Sequence, residues 1–332
     1  MSCRRSLSCI WWIFILLHAL CETSTIATST GFVRTSNTQF VLNGAPFLFN
    51  GFNSYWMMNV AVEPSERHKV SEVFHDASAA GLTVCRTWAF ADGGDRALQI
   101  SPGVYDERVF QALDFVISEA GKYGIRLVLS FVNNYNDYGG RAQYVRWARS
   151  AGMQINGDDD FYTNAVVKQY YKNHVQKVLT RMNTITRMAY KDDPTIMSWE
   201  LINEPRCQAD YSGKTVHRWM SSHWTDSKMI VRKPLVFAEF GKSNKNPGYS
   251  LTVRNTILAT IYNNIYNDAR SGGSFGGGMV WQLVAEGMES YYDGYEIVLS
   301  QNPSTTGIIT TQSQKMTALS HLLSIPLNNR NP

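Results

Sequence analysis

Short apolar runs alternate along the chain with stretches of helical periodicity. The runs are PFLFNGFNSYW from Pro46, TVCRTWAF (Thr83 to Phe90), IRLVLSFV (Ile125 to Val132), IMSWELIN (Ile196 to Asn203), PLVFAEFG (Pro234 to Gly241) and GGMVWQLV (Gly277 to Val284). Each is short, bounded by turn formers and rich in β-branched or aromatic residues, and so predicts a strand. Between them, DERVFQALDFVISEAGKYG places Val109, Leu113, Val116, Ile117 and Ala120 at helical spacing, with Gly124 as the cap. Near-continuous apolar strands that alternate with helices belong to a parallel sheet covered on its outer face. Beyond this alternation the chain shows no internal repeat, and it reads as one domain.

Polar residues gather at one end of these strands. Asn53 follows the first, Arg86 and Trp88 lie late in the second, and NNYNDYGG follows the third. Asn203 and Glu204 end the fourth; Glu239 and Trp281 lie late in the last two. Chemistry at the C-terminal ends of parallel strands marks a (β/α)8 barrel or an open doubly wound sheet. No strand runs into G-x-G-x-x-G, which argues against a dinucleotide fold. The fold class is therefore α/β, of the (β/α)8 TIM-barrel type.

The strand count does not close. A barrel of this kind needs eight strands, and six runs are recognisable. SWELINEP (198–205) and PLVFAEFG (234–241) each deliver a glutamate, and Glu204 and Glu239 stand only 35 positions apart. The segment between them, KTVHRWMSSHWTDSKMI, fits one crossover helix with Val216, Trp219, Met220, Trp224 and Ile230 roughly along one face. The two glutamates are thus expected on neighbouring strands about 4.8 Å apart. The sheet is expected either to stay open with two unpaired edges or to close as a smaller barrel.

Composition bounds the function. A hydrophobic fraction of 44% and an aromatic fraction of 12% exclude global disorder. A net charge of +4 with no basic run excludes a nucleic-acid partner on electrostatic grounds. Arg4, Arg5 and the apolar stretch Ile10 to Leu20, with Ala19 and Cys21 at the cleavage region, read as a secretory signal over residues 1–21, its boundary as late as about residue 30. A buried helix or a signal anchor is the alternative. The signal implies an extracellular, cell-wall location with no stable membrane association after cleavage. Cys85 and Cys207 would remain, either as a disulfide or as buried thiols.

At GFVRTSNTQFVLNGAPFLFNGFNSYWMM, CRTWAF, WELINEPRC, LVFAEFG and VWQL…YYDGY the chain resembles the plant endo-β-1,4-mannanases of glycoside hydrolase family 5. The resemblance implies a monomer that hydrolyses internal bonds of mannans, galactomannans and glucomannans, with no metal or cofactor. It matches Glu204 to the acid/base and Glu239 to the nucleophile. It places Arg86, Trp88, Asn203 and Trp281 around the scissile sugar. In the family, NEP ends the fourth strand and the AEFG glutamate the seventh, with a His-x-Tyr element between them that orients the nucleophile. Here the intervening histidines, His217 and His223, fall on the predicted helix. The resemblance therefore implies a domain over residues 31–325 that lacks an internal segment of about 80 residues near 219–220, two units of a barrel.

In a retaining glycosidase one carboxylic acid protonates the leaving oxygen, and a carboxylate about 5–5.5 Å away attacks the anomeric carbon. The acid needs a raised pKa, which Trp199 can supply to Glu204. Arg86 can hold Glu239 ionised, and Asn203 can bond the sugar 2-hydroxyl. Glu200 reads as a buried partner of an arginine, and Trp281 as a sugar platform or a core side chain. NNYNDYGG reads as sugar contact or plain turn, and Cys207 as loop architecture. Two competing functions stay open: a vestigial, non-catalytic sugar binder, whether from a degenerate gene, a variant transcript or a mistaken gene boundary, and a family 5 enzyme acting on glucans.

Overall fold

A computed structural model describes residues 31–223 and 234–325. The chain begins with a small antiparallel sheet of β1 (Arg34–Ser36), β2 (Gln39–Leu42) and β3 (Ala45–Pro46). Its second turn is Asn43-Gly44, with φ of 51° and 84°, the left-handed region that Asn and Gly enter most readily. No expectation covered these strands. Nor did any cover the side hairpin of β6 (Gln99–Ser101) and β7 (Val104–Tyr105).

All six predicted runs form strands of one parallel sheet: β4 (Phe49–Asn53), β5 (Val84–Trp88), β8 (Arg126–Ser130), β9 (Ile196–Glu200), β10 (Leu235–Phe240) and β11 (Phe275–Val280). Their spatial order is β10-β11-β4-β5-β8-β9. Among the described residues the sheet is an open half-barrel, and no ladder closes it into the smaller barrel. This corrects the expected pairing. β9 and β10 follow one another among the six strands of this sheet but occupy its opposite edges, so Glu204 and Glu239 do not lie on neighbouring strands.

The reason lies in β11. A Cβ added at Gly278 would come within 2.6 Å of Ile265 and 3.1 Å of Phe240. The bare backbone at that position therefore admits the Phe240 ring from β10, which pairs with β11 from Leu235↔Phe275 to Phe240↔Val280.

Helices cover the outer face: α1 (Met57–Ala61), α2 (Arg67–Ala79), α3 (Glu107–Lys122), α4 (Gly140–Ser150), α5 (Asp160–Thr163), α6 (Ala165–Leu179), α7 (Lys214–His223), α8 (Leu251–Arg270) and α9 (Pro303–Ser324). In α3 every residue of the predicted apolar face is buried, and Asp106 caps the helix by accepting from the Arg108 backbone N–H at 2.9 Å. Such a cap is worth about 1 kcal/mol. α9 is locked to β4 by Asn50 Nδ2, which donates to Ile309 O and Ser313 Oγ, both at 3.1 Å.

α7 carries Trp219, 2% exposed and packed on Phe161, Tyr162 and Tyr171. Met220 is 37% exposed, so the apolar face is narrower than its sequence pattern. Trp224 and Ile230 lie outside the described residues.

The inner face holds Phe49, Val84 and Met279, with Val128, Met197 and Val236 half-buried around them. Cys85 and Cys207 are both free and both buried; the two do not form a disulfide. A chain starting at Gly31 should therefore show no thiol reactive to a disulfide reagent while native and two per chain in denaturant. A titre of zero under both conditions would mean that they are paired.

Candidate active site

Arg86 is the centre of the inner face. Its side chain is 2% exposed, so its charge has to be met by protein groups. Nη1 donates to Asn53 Oδ1 at 3.0 Å and to Glu239 Oε1 at 2.6 Å. Nη2 donates to Glu200 Oε2 and Asn203 Oδ1, both at 2.7 Å, and Nε donates to Glu200 Oε2 at 3.1 Å. The Trp88 ring lies against the guanidinium, 4.8 Å from its carbon. One side chain on β5 thus ties β4, β9, the loop after β9, and β10. It joins the two edges that no backbone ladder connects.

Glu239 is the penultimate residue of β10, and its side chain is 28% exposed. Asn53 Nδ2 donates to the carbonyl of the preceding Ala238 at 2.8 Å and so fixes the strand at that point. Burial pushes the Glu239 carboxyl above its ordinary value, Arg86 pulls it down, and Glu204 and Glu200 push it up further. The net direction is upward. The guanidinium acts in the direction expected of it, toward the ionised form, and desolvation outweighs it.

Glu204 stands four residues beyond the end of β9, in a left-handed conformation with φ of 46°. That backbone costs on the order of 1 kcal/mol for a residue with a Cβ. It is held by its neighbours: Asn203 N donates to Val132 O at 2.9 Å, and Asn134 N donates to Asn203 O at 3.1 Å. The Glu204 side chain, 41% exposed, accepts from Tyr135 Oη at 2.9 Å and from Arg206 Nη2 at 2.8 Å. Trp199, expected as an apolar wall for this carboxyl, stacks on Phe131 at 5.0 Å.

The remaining expected residues converge. Asn203 is buried between Arg86 and Asn133, whose Oδ1 accepts from Asn203 Nδ2 at 3.0 Å. Trp281 is half-buried, donates from Nε1 to Asp293 Oδ2 at 2.7 Å and stacks on Tyr55 at 5.7 Å with an interplanar angle of 8°. Glu200 pairs with Arg86 and accepts from Ser130 Oγ, the structural role read for it in the sequence.

Glu204, Glu239, Asn203, Trp88 and Trp281 line one cleft of about 530 Å³. So do Tyr55 and Asp293, which sequence reasoning did not single out, and Tyr135 of the Asn-rich loop. Burial and the nearby Asp293 push the Tyr55 hydroxyl up to about 12, so it stays a neutral donor. The available signals were NSYW and YYDGY, both quoted for resemblance but not for chemistry. Among the described residues no group of three or more His, Cys, Asp and Glu is placed to hold a metal.

Two carboxylates and a bank of aromatic rings around one polar cleft, at the C-terminal ends of parallel strands, define a glycoside-hydrolase site. Comparison with known proteins gives the family. The profile described as GH family 5 beta-mannosidase-like matches residues 30–230, and the chain belongs to that family. It is 54% identical to Mannan endo-1,4-beta-mannosidase 5 of Solanum lycopersicum, over 97% of this chain and 99% of the relative. It is 43% identical to Mannan endo-1,4-beta-mannosidase 1 of Oryza sativa subsp. japonica, over 95% and 92%.

The tomato alignment is 410 positions long against a chain of 332, so at least 78 positions (410 less 332) have no residue here. Because 97% of one sequence and 99% of the other take part, the shortfall is internal. It agrees with the expected loss of about 80 residues, two barrel units. The fold is shared with the family 5 mannosidase of Rhizomucor miehei, at a TM-score of 0.74 and 18% identity over 89% of this chain and 99% of that one. It is also shared with the endo-beta-1,4-mannanase of Thermotoga petrophila, at 0.68 and 25% over 87% and 79%.

Replacing Arg86 with Met should destabilise the fold by about 3 kcal/mol, because it strands two carboxylates among protein groups; urea unfolding reads this, and a change below about 1 kcal/mol would mean that the edges are held otherwise. A second expectation follows from the raised Glu239 carboxyl. The folded chain keeps this proton above 4.5, where the unfolded chain releases it, so stability is lost as pH rises through that window. The wild type should therefore lose stability relative to Glu239→Gln as pH rises above 4.5. Parallel pH profiles would contradict the assignment.

Proposed function

We propose that this chain is an endo-acting hydrolase of β-1,4-linked mannans, including galactomannans and glucomannans, that works by a retaining two-glutamate mechanism. The observation that carries the reading is that Glu204 and Glu239, from opposite edges of the sheet, line one cleft. The relatives named as mannan endo-1,4-beta-mannosidases support the substrate class.

In this mechanism Glu204 gives its proton to the glycosidic oxygen as that bond breaks. Glu239 attacks the anomeric carbon and forms a covalent glycosyl ester. Water then attacks the same anomeric carbon, giving a proton to Glu204 as the bond to the Glu239 oxygen breaks and the carboxylate is released. Trp281, fixed by Asp293 and backed by Tyr55, offers a flat apolar face to the sugar ring. Arg86 holds the attacking oxygen at a defined point through its bond to Glu239.

A second reading, a sugar binder without turnover, draws on one feature. Among the described residues Arg86 is the sole hydrogen-bond partner of the Glu239 carboxylate. A nucleophile held by one contact is less firmly oriented for attack. We also propose that residues 1–21 are a secretory signal, that the working unit is a monomer over 31–325, and that the missing segment lies near 219–220; the family match ends at residue 230.

Protein recovered from the medium of expressing cells, sequenced from its N-terminus, should begin between about residues 22 and 31. It should release reducing ends from galactomannan and not from a soluble β-glucan. Glu239→Ala should abolish that release, and Glu204→Ala should lower it by about 10²–10⁴. Folded protein that binds mannan oligosaccharides without releasing ends would establish the second reading.

A further inference from the structure

Where the β6–β7 hairpin meets α4 and α6, a cluster of buried polar side chains lies outside the catalytic cleft. Asp92 in the connection after β5, Gln99 of β6, Tyr144 of α4 and His174 of α6 are each 0% exposed. Among the described residues, neither oxygen of Asp92 and neither ring nitrogen of His174 has a hydrogen-bond partner. The same holds for Gln99 Nε2 and Tyr105 Oη. We propose that Asp92 is a positioning residue for Glu204: its carboxyl, neutral in the folded chain, seats the Asn-rich loop that carries Tyr135, and its ionisation unseats that loop. The role of Glu204 rests on the mannan-hydrolase reading; the seat itself does not.

A carboxylate in this cluster has no counter-charge. The Tyr144 hydroxyl acts on Asp92, but its one proton goes to Gln99 Oε1 at 3.0 Å. Tyr105 of β7 and Tyr171 of α6 also face Asp92, and burial pushes all three hydroxyls up, so they carry no charge. The His174 ring stacks on Tyr105 at 5.9 Å, and burial drives its value down to about 3, so it is neutral too. Arg141 of α4 is taken by Asp159 and the Asn134 carbonyl, and Asp114 of α3 by Arg181. Lys177 of α6 is exposed and reaches only the Tyr105 ring, at 5.8 Å. A buried carboxyl so placed keeps its proton, and burial pushes Asp92 well above its ordinary range. That proton is the donor the cluster lacks: Tyr144 Oη can accept it while donating onward to Gln99.

The backbone of Asp92 is where the loop rests. Its N–H donates to Tyr138 O at 2.8 Å. Gly139, with φ of 89°, lies so close that an added Cβ would collide with Asp92 O. From this seat the loop reaches the acid. Tyr135 Oη donates to Glu204 Oε2 at 2.9 Å, Asn133 Oδ1 accepts from Asn203 Nδ2 at 3.0 Å, and Asn134 N donates to Asn203 O at 3.1 Å. A shift of Asp92 therefore moves the groups that hold Glu204.

Acid keeps the loop seated. In water the Asp92 carboxyl releases its proton near 3.8, and in the seat only at higher pH. Between the two values, unseating frees a proton, so each pH unit favours the displaced loop by about tenfold.

Hydrogen exchange at the Asn134 and Arg141 amides, bonded to Asn203 O and Asn133 O, reads the seat without turnover. From about pH 5 to about pH 7 their protection in the wild type should fall by about tenfold per unit, while amides of α3, which report wider opening, do not follow. Asp92→Asn, a permanently neutral side chain of the same shape, should abolish that fall. Asp92→Ala should leave both amides weakly protected throughout. Release of reducing ends from galactomannan at about pH 5 should drop by about tenfold or more in Asp92→Ala and be restored in Asp92→Asn. The same pH dependence in wild type and Asp92→Asn overturns the seat, as does an Asp92→Asn chain that fails to fold at about pH 5. Release unaffected by Asp92→Ala overturns the link to Glu204. If exchange behaves as expected and even the wild type releases no ends, the seat stands and the mannan reading fails.

Discussion

The Arg86 guanidinium is the interaction on which the site depends. In a closed barrel the ladder of strands sets the distance across the mouth. In this half-barrel the backbone bonds stop at β9 and β10, and a side chain has to do that work. Arg86 can do so because its donors form a rigid planar fork that bonds in several directions at once. Two of its branches end on Glu200 and Asn203 at one edge, and another ends on Glu239 at the opposite edge. A lysine would bring the charge without the fork.

The open edge affects packing and chemistry alike. Val128, Met197 and Val236 line the inner face yet stay half-buried, because the strands that would cover them are missing. Stability therefore rests more on the outer layer, where α3 buries its whole apolar face and α9 is bonded to β4. Hydrophobic burial there is insensitive to whether the sheet closes. The catalytic geometry has no such insurance. Glu239 depends on one guanidinium, and the Glu204 loop depends on the Asn-rich loop after β8.

Local pattern made the elements legible. Six apolar runs gave six strands, and the α3 periodicity gave the buried face. Pairing was not legible, because it is decided by contacts distant in sequence. The bare Gly278 that receives Phe240 from β10 reads locally as part of a weak glycine-rich strand. The apolar run through Leu201 and Ile202 likewise suggested a strand continuing to Glu204, whereas β9 ends at Glu200. The Asn43-Gly44 turn was a readable hairpin signal, passed over because the flanking strands are only a few residues long.

The environments of the two glutamates are the reverse of what their proposed roles suggest. A retaining pair needs a proton-holding acid and an ionised nucleophile, yet burial falls on Glu239 while Glu204 faces solvent. The resolution lies in what a substrate changes. In the proposed mechanism a sugar seated against Trp281 displaces water from the cleft. Removing a carboxyl from water favours its neutral, proton-bearing form. Glu239 has less water to give up and keeps its charged partner, whose attraction strengthens as water leaves. On the proposed roles, a bound glycan has to bring the pair to the assignment that the chemistry requires. How far it does so depends on how completely the glycan covers a mouth whose wall is missing between β9 and β10.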